Sequence, residues 1–245
     1  VDDFEDPYAR RPLPKFYRGV LSVPGFSHLL RPAARHFALR TAAIDEALRG
    51  TSDLEQVVIL GAGLDARGWR MRGLRELPVF EVDHPSTQRY KKEHVASWER
   101  RPEHVFVAVD FQTDSLGEQL EHAGHDPDKV TAWVWEGVTM YLDRDAIYAT
   151  LSTLENRSVP GSRLLVTYVE PSLAYTAIGL GTRIFGEPLE TATTPGEMRE
   201  LLADHGFQLH RDTAGGDWCD RWAPDQWHLP RFVINAEHLA VADKH

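Results

Sequence analysis

Cysteine is almost missing from this chain: Cys219 is the sole thiol in 245 residues. One thiol can form neither an internal disulfide nor a thiolate metal cluster, which excludes a disulfide-stapled secreted scaffold. Positive charge is also scarce. Lys and Arg number 27 against 37 Asp and Glu, a formal charge of −10. An acidic surface repels phosphate backbones and anionic headgroups, so neither nucleic acid nor a membrane is an expected partner. A single site can still be locally positive. No apolar run approaches the roughly 20 residues of a membrane-spanning helix. The first residues, Val1-Asp2-Asp3-Phe4-Glu5-Asp6, are acidic and lack the apolar segment of a secretory signal. The expected location is therefore the cytoplasm. The 12 histidines are scattered, and Cys-x-x-Cys and His-Glu-x-x-His are absent, so no metal is expected. Neither a Gly-x-Ser-x-Gly elbow nor a phosphate-loop Gly-Lys-Ser/Thr occurs.

What is present suffices for a large core. Hydrophobic residues make up 42% and aromatics 10% of the chain, which excludes wholesale disorder. Residues 1–30 carry Pro7, Pro12, Pro14 and Pro24 with Gly19 and Gly25, and read as an irregular arm. A helical pattern follows from Pro32 to Leu48, with Phe37, Ile44 and Leu48 on one stripe. Short apolar runs then alternate with helical stretches. The runs are 57–60, 79–82, 105–109, 132–135 and 164–169. Most lack the alternation of a half-exposed strand, as buried parallel strands do. Helices are expected near 86–99, 115–123 and 144–155. Thr194-Pro195-Gly196-Glu197 reads as a capped helix start, with Gly206 as its end. Two last strands are expected at 207–212 and 231–236. The fold class that follows is α/β: a Rossmann-like, doubly wound, mostly parallel seven-stranded sheet with an antiparallel edge hairpin. The whole of 1–245 reads as a single domain, with 31–171 as its ligand-binding core.

The sharpest local signal is Leu60-Gly61-Ala62-Gly63-Leu64-Asp65, at the end of the first strong strand. Two glycines allow a tight turn and close approach of backbone to a ligand. In an open α/β sheet, ligands sit at the carboxyl ends of strands near the switch point. The next strand ends in Asp83, 20 residues after Gly63. A carboxylate there can accept hydrogen bonds from both hydroxyls of a ribose. A dinucleotide fingerprint is incomplete, because Ala66 stands where the third glycine would fall.

Four motifs in order now make a resemblance specific. They are Gly61-Ala62-Gly63-Leu64-Asp65-Ala66-Arg67, Phe80-Glu81-Val82-Asp83-His84-Pro85, Val109-Asp110-Phe111 and Glu136-Gly137-Val138-Thr139-Met140-Tyr141-Leu142. Together with Leu39-Arg40-Thr41 upstream, they resemble the leucine carboxyl methyltransferase family and its bacterial polyketide O-methyltransferase branch, the tetracenomycin type. These are class I methyltransferases that use S-adenosyl-L-methionine and release S-adenosyl-L-homocysteine. The resemblance implies that Arg40 pairs with the cofactor's carboxylate, that Gly61, Ala62 and Gly63 line it, and that Asp83, with His84 beside it, holds the ribose. It further implies Asp110 and Phe111 around the adenine, Glu136 near the methionine amine or the methyl-transfer site, and Tyr141 just beyond. Asp65 and Arg67 read as a local salt bridge that shapes the loop. The Arg-Thr helix continues Ala42-Ala43-Ile44-Asp45, without the family's aromatic pair before the aspartate, which leaves the acceptor class open.

The acceptor is expected beneath two cap segments, 172–190 and 215–230. The candidate residues are Tyr175 and Arg183 in the first and Trp218, Arg221 and Trp222 in the second, with Cys219 as a further wall. A carboxylate acceptor needs no base, whereas a phenol or alcohol does; His84 and His228 are the candidates. The expected function is methyl transfer to a carboxylate or hydroxyl oxygen of a small molecule, in secondary metabolism. The alternatives are a nicotinamide-dependent Rossmann oxidoreductase, for which no Tyr-x-x-x-Lys pair is seen, and a catalytically silent S-adenosylmethionine-binding protein.

Overall fold

The computed structural model describes residues 24–95, 103–172, 189–224 and 230–245, with backbone alone for 24–30. The elements in chain order are helix α1 (Pro24–Arg49), β1 (Gln56–Leu60), α2 (Arg67–Arg70), β2 (Val79–Asp83), α3 (Pro85–Val95), β3 (His104–Ala108), α4 (Leu116–His122) and β4 (Thr131–Trp135). They continue with α5 (Arg144–Asn156), β5 (Arg163–Val169), α6 (Pro195–Asp204), β6 (Phe207–Ala214), α7 (Gly215–Trp222), α8 (Arg231–Ile234) and β7 (Glu237–Lys244). Short 3₁₀ turns occupy Arg72–Leu74 and Thr139–Tyr141. Among the described residues no helix is long and apolar enough to cross a membrane.

The seven strands lie in the order β3-β2-β1-β4-β5-β7-β6. The first five are parallel; β7 runs antiparallel to both β5 and β6. The expected α/β sheet is thus present, including the antiparallel pair at one edge. Successive side chains of each strand serve opposite faces. Val58, Leu60, Trp133, Trp135, Leu164 and Val166 pack under α4, α5 and α6. Val57, Ile59, Ala132, Val134 and Leu165 pack under α1 and α7. Both faces are dry, which explains why the strand sequences are continuously apolar rather than alternating.

Several boundaries differ from expectation. Helix α1 carries Pro32 inside it, and 24–30, expected to be irregular, are helical, while 1–23 lie outside the described residues. Phe37 leaves the buried stripe of Ile44 and Leu48 and is 51% exposed. The expected strand at 231–236 is instead the short helix α8, and the strand follows at Glu237–Lys244. The apolar run 231–234 was too short for periodicity to separate helix from buried strand. Helix α7 fills part of the second cap segment and carries Trp218 and Cys219 into the core.

The start of α6 matches its sequence signature. Thr194 Oγ1 accepts from Glu197 N at 3.3 Å, and Glu197 Oε2 accepts from Thr194 N at 2.8 Å. This reciprocal box satisfies two otherwise orphaned donors. Thr194→Ala is expected to lower unfolding free energy by about 1 kcal/mol, read as a reduced urea midpoint with an unchanged slope.

Candidate functional site

The strand order reverses between β1 and β4, and the loops after these two strands flank a crevice at the carboxyl end of the sheet. Gly61 (φ +63°) and Gly63 (φ +45°) turn the first loop in the left-handed region that side chains disfavour. A Cβ on Gly61 would also collide with Val138 Cγ2 from the loop after β4. The two loops therefore touch only because position 61 has no side chain. Gly63 N donates to Asp83 Oδ2 at 2.5 Å, and His84 N donates to Asp83 Oδ1 at 2.7 Å. These bonds pin the Asp83 carboxylate at the end of β2. Burial pushes its pKa up, the two amide donors offset part of that, and the net value stands above that of an ordinary aspartate. One strand further out, Asp110 accepts from Gln112 N at 3.0 Å and lies 3.8 Å from His84 Nε2. Phe111 packs partly into the core beside it.

Beneath the crevice lies a connected set of charges. Arg67 is buried at the start of α2. Its Nε donates to Asp45 Oδ1 of α1 at 2.9 Å, and its Nη1 donates to Glu136 Oε2 at 2.5 Å and to Asp65. Arg70 also holds Asp45, with Nη2 to Oδ1 at 2.8 Å. Arg40 Nε donates to the other oxygen of Glu136 at 2.8 Å, and Arg40 Nη1 donates to Glu237 Oε1 at 2.7 Å. Glu237 Oε2 meets His36 Nε2 at 2.6 Å. Burial disfavours charge on Arg40, Arg67, Asp65 and Glu237, yet opposite charges overcome it: Arg40 and Arg67 are held above their ordinary pKa values, Asp65 and Glu237 below theirs. Three buried guanidiniums face four carboxylates, so the set carries one negative charge in excess.

Beside this set opens a cavity of about 400 Å³. Its walls come from α1 (Ala33, His36, Phe37, Arg40), the loop after β4 (Gly137, Met140, Tyr141), Val169 and Leu189, and the entry to β7 (Val233, Ile234, Ala236, Glu237). The lining is largely apolar, as in small-molecule sites.

The structure brings Arg40, Gly61, Ala62, Gly63, Asp83, Asp110, Phe111 and Glu136 to one end of the sheet, and puts Tyr141 on the cavity wall. Asp65 and Arg67 do form the expected ion pair, and Arg67 does much more besides. Other candidates go elsewhere. Trp218 is 1% exposed, with Nε1 donating to Thr213 Oγ1 at 2.9 Å, so it is core rather than pocket wall. Cys219 is buried in the same cluster. Arg221 pairs with Glu46 on the outside of α1, and Trp222 packs beneath its guanidinium. His84 is bonded to Ser86 Oγ at 2.7 Å at the start of α3. Its strand is three spacings from β5, about 14 Å, too far to serve the cavity as a base. Tyr175, Arg183 and His228 lie outside the described residues. A His-x-x-His spacing, His122 and His125, does occur, but His125 is bonded to Gln56, Thr131 and Arg157. Among the described residues no cluster suits a metal.

Sequence reasoning missed His36, Asp45 and Glu237. His36 and Arg40 stand four apart on α1, a spacing that puts both on one face, and that was legible. Glu237 is 197 residues from Arg40, and nothing local marks it.

Residues 5–155 match the sequence model of the Leucine carboxyl methyltransferase family. A protein of Mycolicibacterium smegmatis whose name describes S-adenosyl-L-methionine-dependent methyl transfer is 32% identical over 214 residues, 76% of this chain and 72% of its own length. A protein of Streptomyces avermitilis with the same description is 38% identical over 192 residues, covering 71% of this chain and 63% of its own. The chain thus spans under two thirds of the second relative. Among solved structures, a methyltransferase fold from Thermobifida fusca aligns with a TM-score of 0.66 at 18% identity, over 99% of this chain and 96% of its own. Human N-acetylserotonin methyltransferase, solved with S-adenosylmethionine, aligns at 0.57 and 15% identity, over 95% of this chain and 60% of its own. The fold is that of S-adenosylmethionine-dependent methyltransferases, and the cofactor is S-adenosylmethionine; these findings do not favour a nicotinamide reading.

The role that the motif resemblance implies for Asp83, accepting from a ribose diol, needs the ionised carboxylate. Because the Asp83 pKa is raised, affinity for S-adenosylhomocysteine is expected to fall on acidification at a pH above the ordinary aspartate value of about 3.9. Asp83→Asn is expected to weaken binding by about 1–3 kcal/mol and to remove that acid limb. Calorimetric titrations across pH check both.

Proposed function

The chain belongs to the leucine carboxyl methyltransferase family, and from that premise we propose that it transfers the methyl group of S-adenosylmethionine to an oxygen of a small molecule. The observation that carries the proposal is the cavity: a largely apolar chamber of about 400 Å³ sharing His36, Arg40 and Glu237 with the charged set below the Gly61 turn. Bound S-adenosylmethionine supplies an electrophilic methyl on a sulfonium with a neutral leaving group. It carries one net positive charge, which complements the single excess negative charge of the buried set.

The residues fit the cofactor. The missing Cβ at Gly61 lets the loop after β4 close against the glycine turn, with Val138 in the space a side chain would take. Asp83 accepts from the ribose hydroxyls, while Asp110 and Phe111 take the adenine. Arg40 Nη2 lies beside Gly137 without a hydrogen-bond partner among the described residues and would receive the methionine carboxylate. Glu136, fixed by two arginines, would take the ammonium. What the chain contributes to rate is then alignment: an in-line displacement with a good leaving group gains most from proximity and exclusion of water. An acceptor of polyketide kind, a role in secondary metabolism and a cytoplasmic location remain parts of this proposal. They rest on the motif resemblance, the apolar lining and the lone thiol.

The test has two arms. Titration calorimetry should show heat for both S-adenosylmethionine and S-adenosylhomocysteine. Incubation with phenols and carboxylic acids should give an O-methylated product by mass spectrometry. Cofactor binding without transfer to any acceptor would instead support a catalytically silent cofactor-binding protein.

A further inference from the structure

We propose that a second cavity, on the α1 face of the sheet and away from the cofactor crevice, binds an aliphatic carboxylate, and that its occupancy strengthens cofactor binding.

The cavity measures about 720 Å³, within the size range of small-molecule sites. It lies between the last turn of α1 and the segment that follows α2. Leu48, Met71 and Leu74 belong to the core under α1, and Leu54 and Leu77 pack against that core. Leu54 and Leu77 stand two residues before β1 and β2. The cavity therefore sits toward the amino ends of these strands, whereas the Gly61 turn and Asp83 mark their carboxyl ends.

The chemistry of the lining selects the ligand. Its charged residues, among those described, are all arginines: Arg49, Arg70 and Arg72. The chain holds 37 Asp and Glu against 27 Lys and Arg, so three arginines without a lining carboxylate run against the composition. Arg70 is committed to Asp45, with Nη2 to Oδ1 at 2.8 Å. Arg49 is 65% exposed and stands 3.8 Å from Asp45, a pairing that solvent screens. Arg72 is exposed, and its side chain has no partner among the described residues. Two exposed guanidiniums thus border an apolar chamber, and a guanidinium fork matches a carboxylate. The apolar walls described are leucine and methionine without an aromatic ring. Adaptable walls of this kind suit an alkyl chain better than a flat ring.

The coupling follows from what the walls carry. Asp45 of α1 is joined to Arg67 and Arg70 of α2, and Arg67 in turn holds Asp65 and Glu136 beside the cofactor crevice. A carboxylate that engages Arg49 of α1 and Arg72 beyond α2 clasps the same two elements from the other side. Occupancy therefore favours the arrangement of Asp45 and Arg67 on which the glycine turn and the loop after β4 rest.

The test uses the full chain, with octanoate as probe and 1-octanol as its uncharged counterpart. Calorimetry should show octanoate bound about tenfold more tightly than octanol. The exposed double variant Arg49→Gln/Arg72→Gln should lose that preference and keep the melting temperature of the free chain. No binding of octanoate, equal affinity for the two compounds, or an octanoate affinity undiminished in the double variant overturns the site, the last because the ligand then sits elsewhere. Saturating octanoate should raise affinity for S-adenosylhomocysteine at least about threefold, and the reverse titration should give the same factor. The double variant should show neither effect. Octanoate bound at Arg49 and Arg72 with unchanged S-adenosylhomocysteine affinity overturns the coupling. The octanoate titration needs no cofactor, so it decides the site even if the methyl-transfer reading fails.

Discussion

Arg67 is the side chain on which the site depends. A guanidinium with 2% exposure is tolerable only because three carboxylates from three parts of the chain converge on it. Asp45 brings helix α1 down onto the sheet, Asp65 fixes the loop after β1, and Glu136 fixes the loop after β4. Asp65 depends on the arginine in turn, since a buried charge without a partner costs several kcal/mol, while Asp45 and Glu136 are also held by Arg70 and Arg40. The arrangement is cooperative: the helix, the glycine turn and the end of β4 cannot shift independently. Arg40 extends it to Glu237 and so couples the far side of the cavity to the same framework.

That constraint explains how an acidic protein presents a precise site for a charged cofactor. Fixed charges that are already paired need little reorganisation when a ligand arrives, which is the basis of electrostatic preorganisation. The excess of one carboxylate sets the sign of what fits best. The glycines at 61 and 63 contribute the complementary feature, a turn through the left-handed region, with Val138 seated where a side chain at 61 would stand.

The parallel sheet was readable because its strands are buried on both faces, so Val57–Leu60 and Ala132–Trp135 stand out as apolar runs. The capped start at Thr194 was readable because the capping box is local. The end of the chain was not: 231–236 has strand-like composition, but β5 pairs with Glu237–Lys244 instead. Among site residues, Gly61, Gly63 and Asp83 announce themselves through order and spacing. The tryptophans at 218 and 222 misled because aromatic content cannot distinguish a pocket wall from a core. Glu237 was invisible because its role is created by tertiary contact alone, and Arg67 was underrated because its second and third partners lie 22 and 69 residues away.

The account's central claim is that Arg67 holds fold and site together, and Arg67→Met tests it most directly in one urea titration with and without S-adenosylhomocysteine. Removing one partner from a buried charge set should cost about 3–5 kcal/mol of unfolding free energy, and the ligand should no longer raise the unfolding midpoint. A variant with wild-type stability and an undiminished ligand-induced shift would contradict it.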